Sequence, residues 1–547
     1  MYWPFHRKKK QPLSIFFKSP VFIILIVCLV LMSFNLIAIY KLRPFNSDDV
    51  FWQAILLHWH PFEGTLTTLG NSSIYVDKIP FYEFFNHFFE PSRKVLLIEA
   101  AINALLGFTG FYLASVYFLK KMKAKLSYVT LLPFVWLAGF GYSFVQLYLN
   151  TNWRGFQLGI SFAIFALVAA VWYGDIRFKA WWSKLGLLLV TAYAGLQMYS
   201  DPYFLYFTIG PLTLLSLILF ITKKINKQQF LIVFLPVIVS LLFSKLFAVI
   251  FHAAGIRTTM DYPMEFIHFE NIADSFSGSI HSIIIIFSSD FFGLPLKNPT
   301  IIAPILNFVL LSFISVAVFA FLKTLRGMKW KKLSFDTIWK LFFIGICVLV
   351  FGSHTISTLG QGTFTYRYFL LFALVFAFIF SWTLASMKDG VKKNIVVTLL
   401  ILATLFNLTG TASGRQDAAR PDVANNTANI LNDTVINTVK ARGYTKGYAN
   451  YWDANISTYL SAGKVSFLPS VCNDHKANKW YWLINDNAFD KKVQKSFYFL
   501  NPDVPAACQA KDIDRQFGKA TDIVRLGNKT LYFYDYDISS KLGIAKE

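Results

Sequence analysis

Long apolar runs dominate the chain, in place of strict alternation or narrow helical stripes. A helix that crosses a bilayer needs roughly 20 consecutive apolar residues. Runs of that length predict about eleven spanning helices, at 20–41, 95–119, 128–148, 155–174, 184–200, 203–222, 229–252, 300–323, 336–353, 367–387 and 393–411. Larger polar stretches break the series at 42–94, 253–299 and 412–547. Within the first, Phe81-Tyr82-Glu83-Phe84-Phe85-Asn86-His87-Phe88-Phe89 has too many polar breaks to span, and predicts a helix lying in the interface. Within the second, Phe276 to Phe292 is apolar but interrupted by serines, His281 and Asp290, and reads as an interfacial or re-entrant piece; the alternative is a further span, which would flip the downstream topology and which the placement of the basic loops opposes. The first run, Val21 to Tyr40, follows basic residues as a signal peptide does. Its full-span length and the lack of a small-residue cleavage site predict a retained helix.

The pattern changes after residue 411. Ala424 to Arg442 has helical spacing, Tyr444 to Asn450 reads as a strand, Trp452 to Ala462 as a helix and Gly463 to Leu468 as the next strand. Strand, helix and strand at that spacing predict a βαβ unit. Trp480 to Ile484, Ser496 to Leu500 and Thr530 to Tyr534 are further strand candidates, and Gly527-Asn528 marks a hairpin between Ile523–Leu526 and Lys529–Tyr532. Val504 to Ile513 is helix-like. The fold class expected is an α-helical polytopic membrane protein, residues 1–411, with a C-terminal extracytoplasmic α/β domain, residues 412–547.

Composition supports the membrane reading. The chain is 55% hydrophobic and 15% charged, well below the quarter charged that is usual for soluble domains. The net charge of +22 would suggest nucleic acid in a soluble protein, but here it comes from basic loops. Arg7 to Lys10, Lys120 to Lys125, Arg177 to Lys184, Lys223 to Lys227, Lys323 to Lys332 and Lys388 to Lys393 all fall on one side of the predicted topology. That side is then the cytoplasm, with the N-terminus inside and the tail outside. No nucleic-acid partner is expected.

Candidate chemistry collects in the outer loops. Asp48 and Asp49 follow the first span. Adjacent carboxylates repel, so the pair either opens a helix as a cap or holds a base, a cation or a basic partner. Arg154 lies after the third span beside Asn152 and Trp153. Asp201 lies between the fifth and sixth, either closing a Ser-Asp-Pro turn or paired with a cation from elsewhere. Asp261, Glu265, His268 and Glu270 complete no metal-ligand pattern and read as a solvated loop. Arg367, in Gly362-Thr363-Phe364-Thr365-Tyr366-Arg367-Tyr368, is an outer cation against the charge bias. It either grips phosphate or snorkels beside tyrosines. The sequence has no Walker A, Gly-x-Ser-x-Gly, His-Glu-x-x-His or dinucleotide motif. Cys472 and Cys508 are the cysteines of the tail. An outer compartment favours a disulfide closing about 36 residues, worth roughly 3–4 kcal/mol.

This layout resembles the GT-C superfamily of membrane glycosyltransferases, which includes protein mannosyltransferases and aminoarabinose transferases. The resemblance rests on Asp48-Asp49 after the first span, Arg367-Tyr368 opening a late span, the large aromatic first loop and the outer tail. The tail stretch Gly447-Tyr448-Ala449-Asn450-Tyr451-Trp452-Asp453-Ala454-Asn455 also looks like tails of bacterial members. A second acidic motif found in several members is replaced here by Asn150-Thr151-Asn152. The resemblance implies transfer of a sugar from a polyprenyl phosphate to a glycan, lipid or protein acceptor outside the bacterial cytoplasmic membrane, in contact with membrane lipids. Asp48 or Asp49 would be the base. Arg367 with Tyr368 would hold the lipid phosphate, and Arg154 and Asp201 would join the site. No cofactor is specified, and a divalent cation is left open. The competing readings are a multi-pass transporter and a non-catalytic glycan-binding membrane protein.

Overall fold

The computed structural model describes residues 19–42, 47–62, 67–69, 74–140, 144, 154–176, 181–258, 265–292, 301–326, 328–329, 333–361, 365–413, 427–504 and 507–545. Asn46, Asn150 to Trp153, Asp261 and Gly362 to Phe364 lie outside these residues. Among the described residues, nine helices are long and apolar enough to cross a membrane: Pro20–Ala38, Arg93–Lys121, Gly155–Trp172, Pro202–Ile221, Lys227–Ala253, Ile302–Thr324, Phe335–Thr355, Thr365–Ser386 and Val391–Thr409. They suggest a membrane-embedded protein. The other two expected spans differ. The helix Trp181–Ser200 is 20 residues long, but Lys184, Thr191, Gln197 and Ser200 lower its apolar content. Of the 128–148 run, the helix Tyr128–Ala138 is described; it starts at a Ser127–Thr130 capping box and stops at Gly139.

The apolar loop segments form shorter helices. Ile79–Phe88 buries Tyr82 and Phe85 and exposes Phe84 and Phe88, the two-faced pattern expected of an interfacial helix. Ile272–Ile286 has 15 residues, short of a span. Glu265, His268 and Glu270 are exposed, in keeping with a solvated loop.

Two of the long helices cross at glycines. A Cβ on Gly107 would lie 2.6 Å from the Gly155 carbonyl oxygen, so the Arg93–Lys121 and Gly155–Trp172 backbones touch directly. Gly155 and Gly159 stand at the i, i+4 spacing that permits such contact. The crossing fixes the start of the second helix, and with it Arg154.

Among the described residues the strands are β1 (Thr67–Leu69), β2 (Ile256–Thr258), β3 (Lys446–Asn450), β4 (Ser466–Asn473), β5 (Lys476–Lys479), β6 (Ile484–Asn485), β7 (Ser496–Leu500), β8 (Asp522–Leu526), β9 (Lys529–Tyr534) and β10 (Gly543–Ile544). The tail holds a seven-stranded sheet ordered β10-β5-β4-β3-β7-β9-β8. The predicted βαβ unit is present, with β3 parallel to β4 and the helix Tyr451–Leu460 between them. β8 and β9 form the hairpin, turning at Gly527, whose φ of +65° suits glycine. Both sheet faces are covered: Tyr498 and Tyr532 bury on one, Phe497, Phe499 and Phe533 on the other. Cys472 and Cys508 form a disulfide with Cα atoms 5.1 Å apart.

Two tail segments depart from expectation. Trp480 to Ile484 is not one strand. The Trp482 N–H donates to the Trp480 carbonyl, and Leu483 takes a left-handed φ of +49°, so the chain turns between β5 and β6. The helix near Cys508 runs Ala510–Phe517, opening at Gln509, whose side chain bonds the Asp512 N–H. Cys508 therefore precedes it.

A second, three-stranded sheet joins segments from three parts of the chain. β1, from the first loop, pairs in parallel with β2, from the second, and antiparallel with β6 of the tail.

Candidate functional site

The acidic pair sits where the first loop meets the tail. Asp48 and Asp49 occupy the first turn of the helix Ser47–Leu56, inside the helix and not at the capping position that the residues allowed. There the positive end of the helix dipole favours them. Val50 and Ala54 pack with Ile456 and Tyr459 of the tail, while Phe51, Trp52 and Ile55 join Ile74, Ile256, Tyr451 and Leu483. Ser47 is wholly buried. Its hydroxyl donates to the Tyr451 carbonyl and accepts from the Asn455 N–H at 3.0 Å.

Tyr451 carries the polar link. Its hydroxyl donates to Asp48 Oδ1 at 2.5 Å. The Trp482 indole N–H donates to that same hydroxyl. Burial, then the negative charges of Asp48 and Asp49, raise the phenol well above its ordinary pKa, so it stays protonated as a donor. A bond of this kind to a charged acceptor contributes about 1.5–3 kcal/mol. Asp49 is 1% exposed.

A second cluster gathers the basic candidates. Arg154 grips Asp201 with two bonds, Nε to Oδ2 at 2.6 Å and Nη2 to Oδ1 at 3.2 Å. Asp201 also accepts from the Tyr203 N–H at 3.0 Å, so the expected turn and the expected partner are both present. The guanidinium of Arg154 lies 4.4 Å from the Tyr203 ring centre and 5.0 Å from that of Tyr368. Arg367 is exposed, and its guanidinium lies 5.3 Å from the same Tyr368 ring. Tyr368 thus brings both arginines to one place. Burial works against the charge on Arg154, but Asp201 and Tyr75 outweigh it and hold its pKa well above the ordinary value.

The segment Ile74 to Lys78 lies between the clusters. Trp52, one turn after Asp48, donates its indole N–H to the Ile74 carbonyl at 2.6 Å. The next residue, Tyr75, is half-buried within the field of Arg154, Asp201, Arg367 and Tyr368, and desolvation raises its pKa to about 12. The Ile74 and Tyr75 N–H groups both donate to the Ser200 carbonyl, at 2.8 and 3.2 Å. Asp77 accepts from the Ser200 hydroxyl and, at 2.7 Å, from Gln197. Lys78 is buried, with its ammonium 4.9 Å from the Tyr75 ring centre. Burial pushes its pKa down to about 8, against the pull of Asp77 and Asp201.

The structure therefore joins Arg154, Asp201, Arg367 and Tyr368, and ties Asp48 to the tail. Tyr75, Asp77, Lys78 and Tyr203 were not singled out in the sequence, and Tyr451 stood there only within the tail stretch of the resemblance, with no site role. Lys78 carried a usable signal, a lysine on the expected outer side. Among the described residues no three His, Cys, Asp or Glu side chains gather into a metal-holding group. No protein-family model matches the chain, and no curated protein matches its sequence.

Proposed function

We propose that the chain is a GT-C-type membrane glycosyltransferase. It would move a sugar from a polyprenyl phosphate to an acceptor hydroxyl at the outer face of a bacterial cytoplasmic membrane. The observation that supports this most is the arrangement about Ile74 to Lys78: a carboxylate held by Tyr451 on one side, and two arginines on Tyr368 on the other. Asp48 takes the acceptor proton as the hydroxyl oxygen bonds to the anomeric carbon. The bond from that carbon to the lipid phosphate breaks, and the charge left on phosphate is met by Arg367. Arg154, already committed to Asp201, holds Tyr368 and thereby Arg367. Asp49 orients the acidic turn.

The outer placement draws support from the small sheet that joins both large loops to the tail, which requires all three on one side. The tail disulfide suits an oxidising compartment. The test is transfer by the purified chain from a panel of radiolabelled polyprenyl-phosphate sugars. Asp48→Asn is expected to lower the rate by about 10²–10⁴. Full activity in Asp48→Asn, Asp49→Asn and the double variant would exclude the acidic pair. A transporter or scaffold would tolerate all three.

A further inference from the structure

We infer that the tail supplies a pyranose-binding subsite to this junction, built on Trp480 and Trp482. The inference deepens the reading above, which gives that sugar its role as acceptor.

Three observations carry it. First, Trp480 and Trp482 stand with ring centres 5.6 Å apart and planes within 22°, and both are half-buried. Tyr481 between them turns the other way, packing on Phe489 in the tail's own core at 4.6 Å. The two indoles instead pack in part against the cluster of Phe51, Trp52, Tyr451 and Leu483, where the Ser47 helix meets the tail, and each keeps part of its surface open. Second, the presentation is held against a cost. Leu483 is left-handed, a conformation that costs a non-glycine residue about 1–3 kcal/mol and tends to mark functional positions. Asn455 pins it by donating to the Leu483 carbonyl at 3.0 Å. Third, the platform adjoins polar chemistry. The Tyr451 ring lies 5.2 Å from that of Trp480, edge on, and its hydroxyl joins Trp482 to Asp48.

An aromatic face beside fixed hydrogen-bonding groups matches a pyranose. The C–H face of the ring lies on an indole and its hydroxyls meet directed acceptors, as in sites with few, well-placed polar groups. A flat apolar ligand would have no use for the carboxylate, and an ion would have none for the indoles.

The test is saturation-transfer NMR on the full chain in nanodiscs, with methyl pyranosides of gluco, galacto, manno and N-acetylglucosamine configuration as probes. At least one is expected to bind, with transfer strongest along one C–H face. Trp480→Ala should weaken that binding by about tenfold, the scale of one aromatic contact. Trp482→Phe keeps a ring and guards against misfolding; it should retain part of the binding. No transfer to any probe, or equal binding by Trp480→Ala, would overturn the subsite. The assay needs no donor, so it fails separately from the enzyme reading. Transfer activity in Trp480→Ala with an unchanged acceptor KM would likewise remove the subsite and leave the transferase standing.

Discussion

The basic and acidic clusters solve the problem of buried charge differently. Arg154 and Asp201 neutralise each other within the helical part, 11% and 1% exposed, with Tyr203 and Tyr368 as walls. Asp48 instead takes its donor from a residue more than 400 positions away, Tyr451 of the tail. The first cluster is complete once the helices pack. The second exists only after the tail docks. Charge matched inside one packing unit serves as a fixed frame, whereas charge matched across a docking surface ties the site to assembly of the whole chain.

The largest effect should come from breaking the closed pair. Asp201→Leu leaves a buried guanidinium without its carboxylate, and is expected to cost about 3–5 kcal/mol, read as lost thermal stability in detergent. The double variant Arg154→Leu/Asp201→Leu should recover much of that loss. A single variant as stable as the parent would show that the pair is not a frame.

Loosening the tail tests the other side. Cys472→Ser/Cys508→Ser removes the restraint on a loop of 36 residues and should cost about 3–4 kcal/mol on the chain-entropy model. The sheet's two cores remain, so the tail is expected to fold still. Chemical unfolding should show the loss in a tail-reporting transition, while the Arg154–Asp201 frame is unmoved. Equal destabilisation of both halves would contradict the division drawn here.

Tyr451→Phe is the finer cut. It keeps the ring among Trp452, Trp480 and Leu483 but removes the donor to Asp48, for about 1.5–3 kcal/mol. Docking should weaken, detected as faster proteolysis of the tail from the helical part. Unchanged proteolysis would place the docking energy in the contacts that remain, the Ser47 hydrogen bonds, the β1–β6 pairing and the apolar packing of the Ser47–Leu56 helix on the tail.

These two clusters were unequally legible. Long helices and the βαβ unit are local patterns, so Arg93–Lys121 and β3 to β4 follow from spacing alone. The sheet of β1, β2 and β6 has strands of three, three and two residues. Segments that short carry no period, and their pairing depends on the packing of distant loops. Trp480 to Ile484 misled because alternating aromatics look alike in a strand and in a turn that faces two cores; Leu483's left-handed φ leaves no mark in composition. The Arg154–Asp201 partnership was open for the same reason, since its components lie 47 residues apart. Gly155 and Gly159, which seat Arg154, were readable from their spacing and went unused.

The smallest effect is a slope with pH. Lys78 sits beside the closed pair, its pKa lowered to about 8 by burial, with Asp77 and Asp201 opposing. An unfolded lysine titrates near 10.4. Below pH 8 both states hold the proton, and the burial cost is present in full. Between about 8 and 10.4 the unfolded chain binds a proton that the folded chain lacks, so stability rises with pH through that window. Lys78→Met removes the titrating group. The variant should be more stable than the parent at pH 7, and the difference should shrink toward pH 10.4. Asp77 keeps Ser200 and Gln197 as donors, and Asp201 keeps Arg154, so the substitution strips no carboxylate of all its partners. Unfolding midpoints of both proteins from pH 7 to 10.5 would measure the slope. Parallel curves would mean that Lys78 is as well solvated folded as unfolded. A parent more stable at pH 7 would mean that its ammonium completes the basic frame and does not burden it.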